Sequence, residues 1–130
     1  MHFSHRLASL PLRAALVMAL ALLAAAPARA ADLVMVDREG CAYCLLWKKQ
    51  IGPAYPNTDL GQYAPLIVVN IRDGAPEGVS FARPVIFTPT FILIENGVEL
   101  DRIEGYAGDE FFWSLLERML KNNTDFPGSG

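Results

Sequence analysis

The sequence predicts an α/β domain in which helices pack against a mixed central sheet. Three short apolar runs rich in β-branched residues have the length of buried strands, and they cover residues 33–36, 66–71 and 90–94. Helical spacing of apolar residues follows the first run and returns near the C-terminus. A strand–helix–strand order implies parallel pairing, whereas the Asn96-Gly97 dipeptide after the third run is a strong signal for an antiparallel hairpin. Both pairings in one domain make the sheet mixed.

The first thirty residues have the pattern of a secretory signal. Two arginines precede the apolar run Ala14–Ala26, whose 13 residues suit a signal peptide and are too few for a membrane span of about 20. Pro27 then breaks the helix, and Ala28-Arg29-Ala30 places small residues at both positions that a signal peptidase reads. We predict that residues 1–30 are a signal peptide cleaved before Ala31. An uncleaved anchor or a buried helix is the alternative.

The remaining chain is acidic and short. Residues 31–130 contain 8 basic and 14 acidic side chains, a net charge of −6, and no basic stripe that could neutralise phosphates, so nucleic-acid binding is not expected. About 100 residues suit one domain, which we assign to residues 31–121. Residues 122–130 contain proline and glycine and are predicted to form a flexible tail.

The first helix is predicted to begin near Cys41 and to end by Pro53. Its Cys44, Trp47 and Ile51 follow spacings of three and four, which places them on one inward face. The next strand, 66–71, should pair in parallel with the first, and residues 72–87 are predicted to be irregular because they contain several glycines and prolines.

The C-terminal part should form a hairpin and a helix. Residues 98–104 are predicted to return antiparallel, with a bulge between Leu100 and Ile103, where the alternation slips. Asp109 is predicted to cap a final amphipathic helix that continues through Leu120.

The chain contains two cysteines, Cys41 and Cys44, three residues apart. In an exported protein they can form a disulfide, but as a staple so short a loop would contribute only roughly 2 kcal/mol. Two cysteines are also half a zinc site. Since residues 31–130 contain no histidine, the other ligands would be carboxylates or come from a second chain. Redox chemistry is the favoured interpretation, with the staple and the metal site as alternatives.

The position of the pair at a helix start suggests a division of roles. Unsatisfied backbone N–H groups and the positive end of the helix dipole stabilise a thiolate, so Cys41 is the predicted nucleophile. Cys44 lies one turn further on the inward face and is predicted to resolve the mixed disulfide.

With these elements, and with Thr88-Pro89 directly before the third strand, residues 33–120 resemble the thioredoxin superfamily. The resemblance implies a thioredoxin-like fold, and it implies that Pro89 is cis and faces the cysteines. It also implies a substrate-binding surface, made by Ala42, Tyr43, Thr88, Pro89, Gly105 and Tyr106. The cofactor it implies is the redox-active disulfide Cys41–Cys44 itself, with no metal.

The chain departs from cytoplasmic thioredoxins at three places. Those proteins carry a tryptophan before the first cysteine, Gly-Pro between the two, and a buried acid six residues before the first. Here these places hold Gly40, Ala42-Tyr43 and Met35. Asp37 and Glu39 are nearby acids, and we interpret both as solvated turn residues.

More narrowly, the chain is similar to the SoxS group of thioredoxin-like proteins found with bacterial sulfur-oxidation operons. The shared segments are Ile51-Gly52-Pro53, Tyr55-Pro56, Phe87-Thr88-Pro89-Thr90-Phe91 and Gly105-Tyr106, with Trp47. This likeness implies a monomeric periplasmic reductase of a partner protein's disulfide or persulfide, with a sulfur-carrier protein among the substrates and a membrane thiol transporter as electron donor. A redox-sensing interaction module without catalysis, or an oxidase that donates disulfides, is the alternative.

Overall fold

The computed structural model describes residues 31–130, and the predicted signal peptide lies outside the described residues. The chain from Ala31 onward forms four strands, three α-helices and one short 3₁₀ helix. In chain order these are β1 (Asp32–Asp37), α1 (Ala42–Gln50), a 3₁₀ helix (Tyr55–Asn57), α2 (Asp59–Tyr63), β2 (Leu66–Asn70), β3 (Thr90–Glu95), β4 (Val98–Glu104) and α3 (Asp109–Asn123). Within residues 31–130, no helix combines the length and the apolar character that crossing a membrane requires.

The sheet is mixed, as predicted, with strand order β2-β1-β3-β4. Strand β1 pairs in parallel with β2 and antiparallel with β3, which itself pairs antiparallel with β4. The hairpin turn has positive φ at both Asn96 (51°) and Gly97 (78°). Asparagine and glycine adopt this conformation readily, which is why Asn-Gly predicts a hairpin. Strand β4 contains a bulge, as predicted, but it lies at Leu100 itself and not between Leu100 and Ile103: Leu93 pairs with Asp101 and Ile94 with Glu99, so Leu100 is the extra residue.

The helices bury their apolar sides against one face of the sheet. Trp47 and Phe112 lie at the centre of this core, with ring centroids 5.4 Å apart, and both rings also contact Phe91 of β3. Cys44, Trp47 and Ile51 share the buried side of α1, as their spacing predicted. This core therefore fixes α1, and with it both cysteines, relative to the sheet.

The opposite face of the sheet is covered by irregular chain. Its buried side chains Val34, Val36, Ile92 and Ile94 pack against Val79, Phe81 and Val85. The predicted irregular segment is confirmed, because residues 72–87 contain no helix. Two buried charges hold the segment in place: Arg102 donates to the carbonyl oxygens of Arg83 and Pro84, and Glu99 accepts from the N–H of Ala82.

The last helix differs from its prediction at both ends. Gly108 (φ 116°) is the N-cap, and Asp109, predicted in that role, is the first helical residue, with its side chain accepting from the N–H of Glu110. The helix continues to Asn123, past the predicted start of the tail. Phe126 is then buried against Tyr63, with ring centroids 5.0 Å apart.

Candidate active site

The two cysteines form a disulfide at the N-terminus of α1, with their Cα atoms 5.2 Å apart. Cys41 is the N-cap residue, with an extended backbone (φ −77°, ψ 106°), and its Sγ atom accepts a hydrogen bond from the N–H of Cys44 at 3.2 Å. Gly40 allows the turn before it, because φ there is 75°. The Cys41 sulfur thus occupies the place where free helical N–H groups stabilise negative charge.

The two sulfur-bearing residues differ in surroundings. Cys41 is 6% exposed and Cys44 is 1% exposed, and both belong to the core between the helices and the sheet. Cys41 therefore offers more surface to solvent than Cys44 does.

The strand β3 and its approach bring the predicted Thr88 and Pro89 to the disulfide. The Sγ atom of Cys41 lies 3.4 Å from the carbonyl oxygen of Thr88, and the Thr88–Pro89 peptide bond is cis. The N–H of Gly105 donates to the carbonyl oxygen of Pro89 at 2.7 Å. Hydrogen bonding between the ends of β3 and β4 therefore places Gly105 beside the site.

A groove of about 840 Å³ runs alongside these residues. Of the predicted substrate-binding residues, Tyr43, Thr88, Gly105 and Tyr106 line it. The other two do not: Ala42 is exposed on α1, and Pro89 is buried beneath the surface. The rim of the groove is apolar, because the rings of Tyr43 and Phe87 are 61% and 57% exposed.

Six groove residues were not predicted, namely Leu46, Gln50, Phe87, Glu104, Ala107 and Gly108. Gln50 accepts a hydrogen bond from the Tyr106 hydroxyl at 2.7 Å, which joins α1 to the loop after β4. Burial, followed by the negative charge of Asp109, raises the pKa of Tyr106. The side of the groove formed by α1 could have been predicted from the sequence, because residues 43, 46 and 50 have the spacing of one helix face.

The interpretation of Asp37 as a solvated turn residue is wrong. Its carboxylate, the Cys41 sulfur and the Cys44 sulfur all lie within 4.8 Å of one another, and its side chain is 18% exposed. The ammonium group of Lys48, on α1, forms an ion pair with it. Glu39 is exposed, as predicted. Asp37 also supplies the carboxylate that a zinc site would need, but the disulfide removes the two thiolate ligands while it persists.

Similar solved structures include one of a bacterial periplasmic protein. It is the crystal structure of the periplasmic thioredoxin SoxS from Paracoccus pantotrophus in its reduced form, at 46% identity and a TM-score of 0.68, covering 70% of this chain and 96% of that one. A thioredoxin from Malassezia sympodialis, Mala s 13, matches at 18% identity and a TM-score of 0.48, covering 70% and 76%. Neither the family models nor the curated proteins gave a match.

A Cys-x-x-Cys disulfide at a helix N-terminus, on a mixed sheet of this topology, defines a thiol–disulfide oxidoreductase with a thioredoxin-like fold. The 46% identity over almost the whole of SoxS makes the relationship specific. The chain belongs to the thioredoxin superfamily and groups within it with SoxS. Its redox-active group is the disulfide Cys41–Cys44.

Proposed function

We propose that this protein is a periplasmic dithiol reductase that acts on a disulfide or persulfide of a partner protein. The difference between the two cysteines is the observation that carries the proposal. Cys41 is the N-cap residue of α1 and is 6% exposed, whereas Cys44 lies one turn further along the helix and is 1% exposed. A structural staple has no need of that asymmetry, whereas a two-step exchange requires one sulfur that meets the partner and one that does not.

In the first step the Cys41 thiolate attacks the partner's disulfide. A bond forms between Cys41 and one partner sulfur, the partner's S–S bond breaks, and the other partner sulfur leaves as a thiolate that takes up a proton. In the second step the Cys44 thiolate attacks the Cys41 sulfur, which releases the partner's remaining thiol and forms the Cys41–Cys44 disulfide. The protein is oxidised by two electrons, and the partner is reduced by two.

The groove supports a partner segment in extended conformation. Tyr43 and Phe87 both line the groove and offer exposed aromatic surface, and such rings bury large apolar area on contact. Thr88 and Gly105 bring main chain to the groove between them. Ala42, adjoining Cys41, and Pro89, beneath the groove, complete the surface that the family resemblance assigns to substrate.

The relative and the sequence support the proposed location and partners. SoxS of Paracoccus pantotrophus is a periplasmic thioredoxin, and residues 1–30 of this chain have the pattern of a cleaved signal. A periplasmic reductase needs electrons from the cytoplasm, which assigns a membrane thiol transporter as donor. The SoxS resemblance points to a carrier protein of sulfur oxidation as substrate. N-terminal sequencing of the exported protein should return Ala31.

Trapping separates the roles of the two cysteines. Cys44→Ser should accumulate a covalent complex with its partner, because the mixed disulfide has no resolving thiol, and Cys41→Ser should trap nothing. The complex is measured on a non-reducing gel and released by dithiothreitol, with the partner identified by mass spectrometry. Equal trapping by both variants, or by neither, would contradict the assigned roles.

Direction of electron flow needs its own measurement. The reduction potential, determined against a glutathione buffer, should lie near that of reducing thioredoxins, at about −270 mV, and not near about −120 mV, the value of a strong disulfide donor. Turnover of a generic protein disulfide should accompany it. A protein without such turnover would be a redox-sensing module instead.

A further inference from the structure

Reduction of the disulfide leaves three metal-binding side chains beside one another. The carboxylate of Asp37 and the sulfurs of Cys41 and Cys44 all lie within 4.8 Å of one another. Once the S–S bond is reduced, both sulfurs can become thiolates, and two thiolates with a carboxylate are a ligand set that zinc accepts. The sequence offered the two cysteines as half a site, and the structure adds the carboxylate.

The separations of these atoms suit one zinc ion after small side-chain rotations. Zinc binds sulfur at about 2.3 Å and carboxylate oxygen at about 2.0–2.2 Å, so two ligand atoms of a tetrahedron lie about 3.6–3.8 Å apart. The carboxylate oxygen therefore has to approach each sulfur by about 1.2 Å at most. The two sulfurs, no longer bonded, separate by rotation about their Cα–Cβ bonds. Cys-x-x-Cys is itself a spacing that zinc sites use.

The surroundings stabilise the negative charge of this ligand set. Cys41 is the N-cap residue of α1, and its sulfur accepts from the N–H of Cys44 at 3.2 Å. The Oδ1 atom of Asp37 accepts from the N–H of Arg38 at 2.7 Å, and Oδ2 pairs with the ammonium of Lys48. Such hydrogen bonds orient ligating groups and increase their affinity for a metal. Two thiolates and one carboxylate leave a zinc complex with one negative charge, which the Lys48 ammonium balances.

The donor atoms also decide which cation is bound. Thiolate sulfur favours zinc, whereas magnesium and calcium take oxygen ligands. Among residues 31–130, the side chains of metal-binding type that lie this close together are these three. Water therefore completes the tetrahedron, as it does in zinc sites with three protein ligands.

We propose that the reduced protein binds one zinc ion through Asp37, Cys41 and Cys44, and that the bound ion blocks thiol–disulfide exchange. Each thiol that is still protonated loses its proton to solvent on binding, and neither zinc nor sulfur changes oxidation state. The electron pair of Cys41 is then committed to zinc and cannot attack a partner's disulfide. Formation of the Cys41–Cys44 disulfide abolishes the site. The block rests on the proposed exchange function, whereas the binding does not.

Binding is measured by competition for Zn²⁺ with a chromophoric chelator, on reduced protein freed of dithiothreitol under nitrogen. Reduced wild type should bind one zinc ion per chain, and the disulfide form should bind none at the same concentrations. Asp37→Asn should weaken binding by about tenfold or more, because even the loss of a partner of a ligating residue costs about 10–100-fold. Glu39→Gln is the matched control, since it removes an exposed acid just before Cys41, and it should bind like wild type.

Cobalt in place of zinc gives a readout that does not depend on activity. Co²⁺ added to reduced wild type should produce a sulfur-to-cobalt charge-transfer band, which Glu39→Gln should retain and Cys44→Ser should weaken. The ligand-field bands of tetrahedral cobalt should change in Asp37→Asn, because an oxygen ligand is lost.

Single-turnover reduction of a protein disulfide tests the block. One equivalent of Zn²⁺ should abolish exchange by wild type, and excess EDTA should restore it. Because Asp37 lies beside the reacting sulfurs, each variant is compared with its own zinc-free rate. On that scale Asp37→Asn should need about tenfold more free zinc, or more, for the same inhibition.

Three results would overturn the site: equal zinc binding by the reduced and disulfide forms, binding by Asp37→Asn as tight as by Glu39→Gln, or one ion shared between two chains in sedimentation. Asparagine can still accept from the Arg38 N–H, so the variant should fold, which circular dichroism checks; Asp37→Ser replaces it if it does not. Zinc-bound protein that reduces disulfides at the zinc-free rate would overturn the block. A zinc-free wild type that reduces no disulfide would contradict the proposed function and leave the binding site standing.

Discussion

Replacing Arg102 by alanine should destabilise the fold far more than replacing Arg83, although each arginine pairs with a glutamate. Arg102 binds Glu99 through two hydrogen bonds of 2.6 and 2.7 Å, and both side chains are only 3% exposed. Arg83 pairs with Glu104 at 2.9 Å, but these side chains are 58% and 37% exposed. The two substitutions therefore compare a covered ion pair with an open one on neighbouring parts of the same surface.

The expected loss of stability depends on the charge that each substitution leaves without a partner. Removing one partner of a buried ion pair costs about 3–5 kcal/mol, because the other charge stays buried without compensation. Glu99 keeps its hydrogen bond from the N–H of Ala82, which offsets part of this cost, so we expect about 2–3 kcal/mol for Arg102→Ala. An exposed pair contributes about 0–1 kcal/mol, which is the expectation for Arg83→Ala. In a domain of this size, the first change lowers the Tm by roughly 10–20 °C.

The pH dependence supplies a second readout of the same pair. Burial alone would raise the pKa of Glu99, but hydrogen bonds from Arg102 and the Ala82 N–H, with the charges of Arg102 and Arg83, lower it overall. A pKa lowered on folding contributes stability above the unfolded value of about 4.3, and that contribution is lost as the pH falls through the folded pKa. The difference in stability between wild type and Arg102→Ala should therefore shrink below about pH 4.

Urea unfolding of the disulfide-intact proteins, at neutral and acidic pH, measures both effects. The slope of free energy against urea should stay constant, so that the shift in midpoint reports stability alone. Equal losses for Arg102→Ala and Arg83→Ala would refute the argument from burial. A difference that did not shrink in acid would refute the assignment to Glu99.

Three further predictions concern the core and its tyrosines. Phe112→Ala should cost about 3–5 kcal/mol in urea unfolding, because its ring packs against Trp47 and Phe91, and a loss below about 1 kcal/mol would contradict that packing. Gly61→Ala should give little folded protein by circular dichroism, since a Cβ atom there would lie 1.8 Å from the carbonyl oxygen of Tyr55; a urea midpoint equal to wild type would contradict this. Burial raises the pKa of Tyr55 above its ordinary value, so Tyr55→Phe should leave the phenolate absorbance at pH 11 unchanged, and a decrease in that absorbance would count against the buried position.

Local sequence determined the elements and the reactive pair. Helix periodicity reports which face of a segment is apolar, and this held for α1 and α3 because each packs its apolar side on the core. Strand β1 was readable as a continuous apolar run because both of its faces are buried. The Asn96-Gly97 turn depends on the φ angles of two adjacent residues, so it too was readable. The reactive pair was recognisable from the spacing of its two cysteines and from the helix start that follows the first strand. The N-cap was misassigned by one residue because Gly108 and Asp109 both suit that position.

The tertiary structure decided what surrounds the disulfide. Asp37 precedes Cys41 by four residues, and nothing local distinguishes it from the exposed Glu39; its carboxylate lies within 4.8 Å of both sulfurs because β1 ends beside the start of α1. One wall of the groove likewise depends on the hydrogen bond from Tyr106 to Gln50, which are 56 residues apart in the chain. Arg102, which forms the covered ion pair with Glu99, also donates to the carbonyl oxygen of Arg83. Such contacts depend on how distant segments are brought together by sheet register and helix packing, and periodicity along the chain carries no information about either.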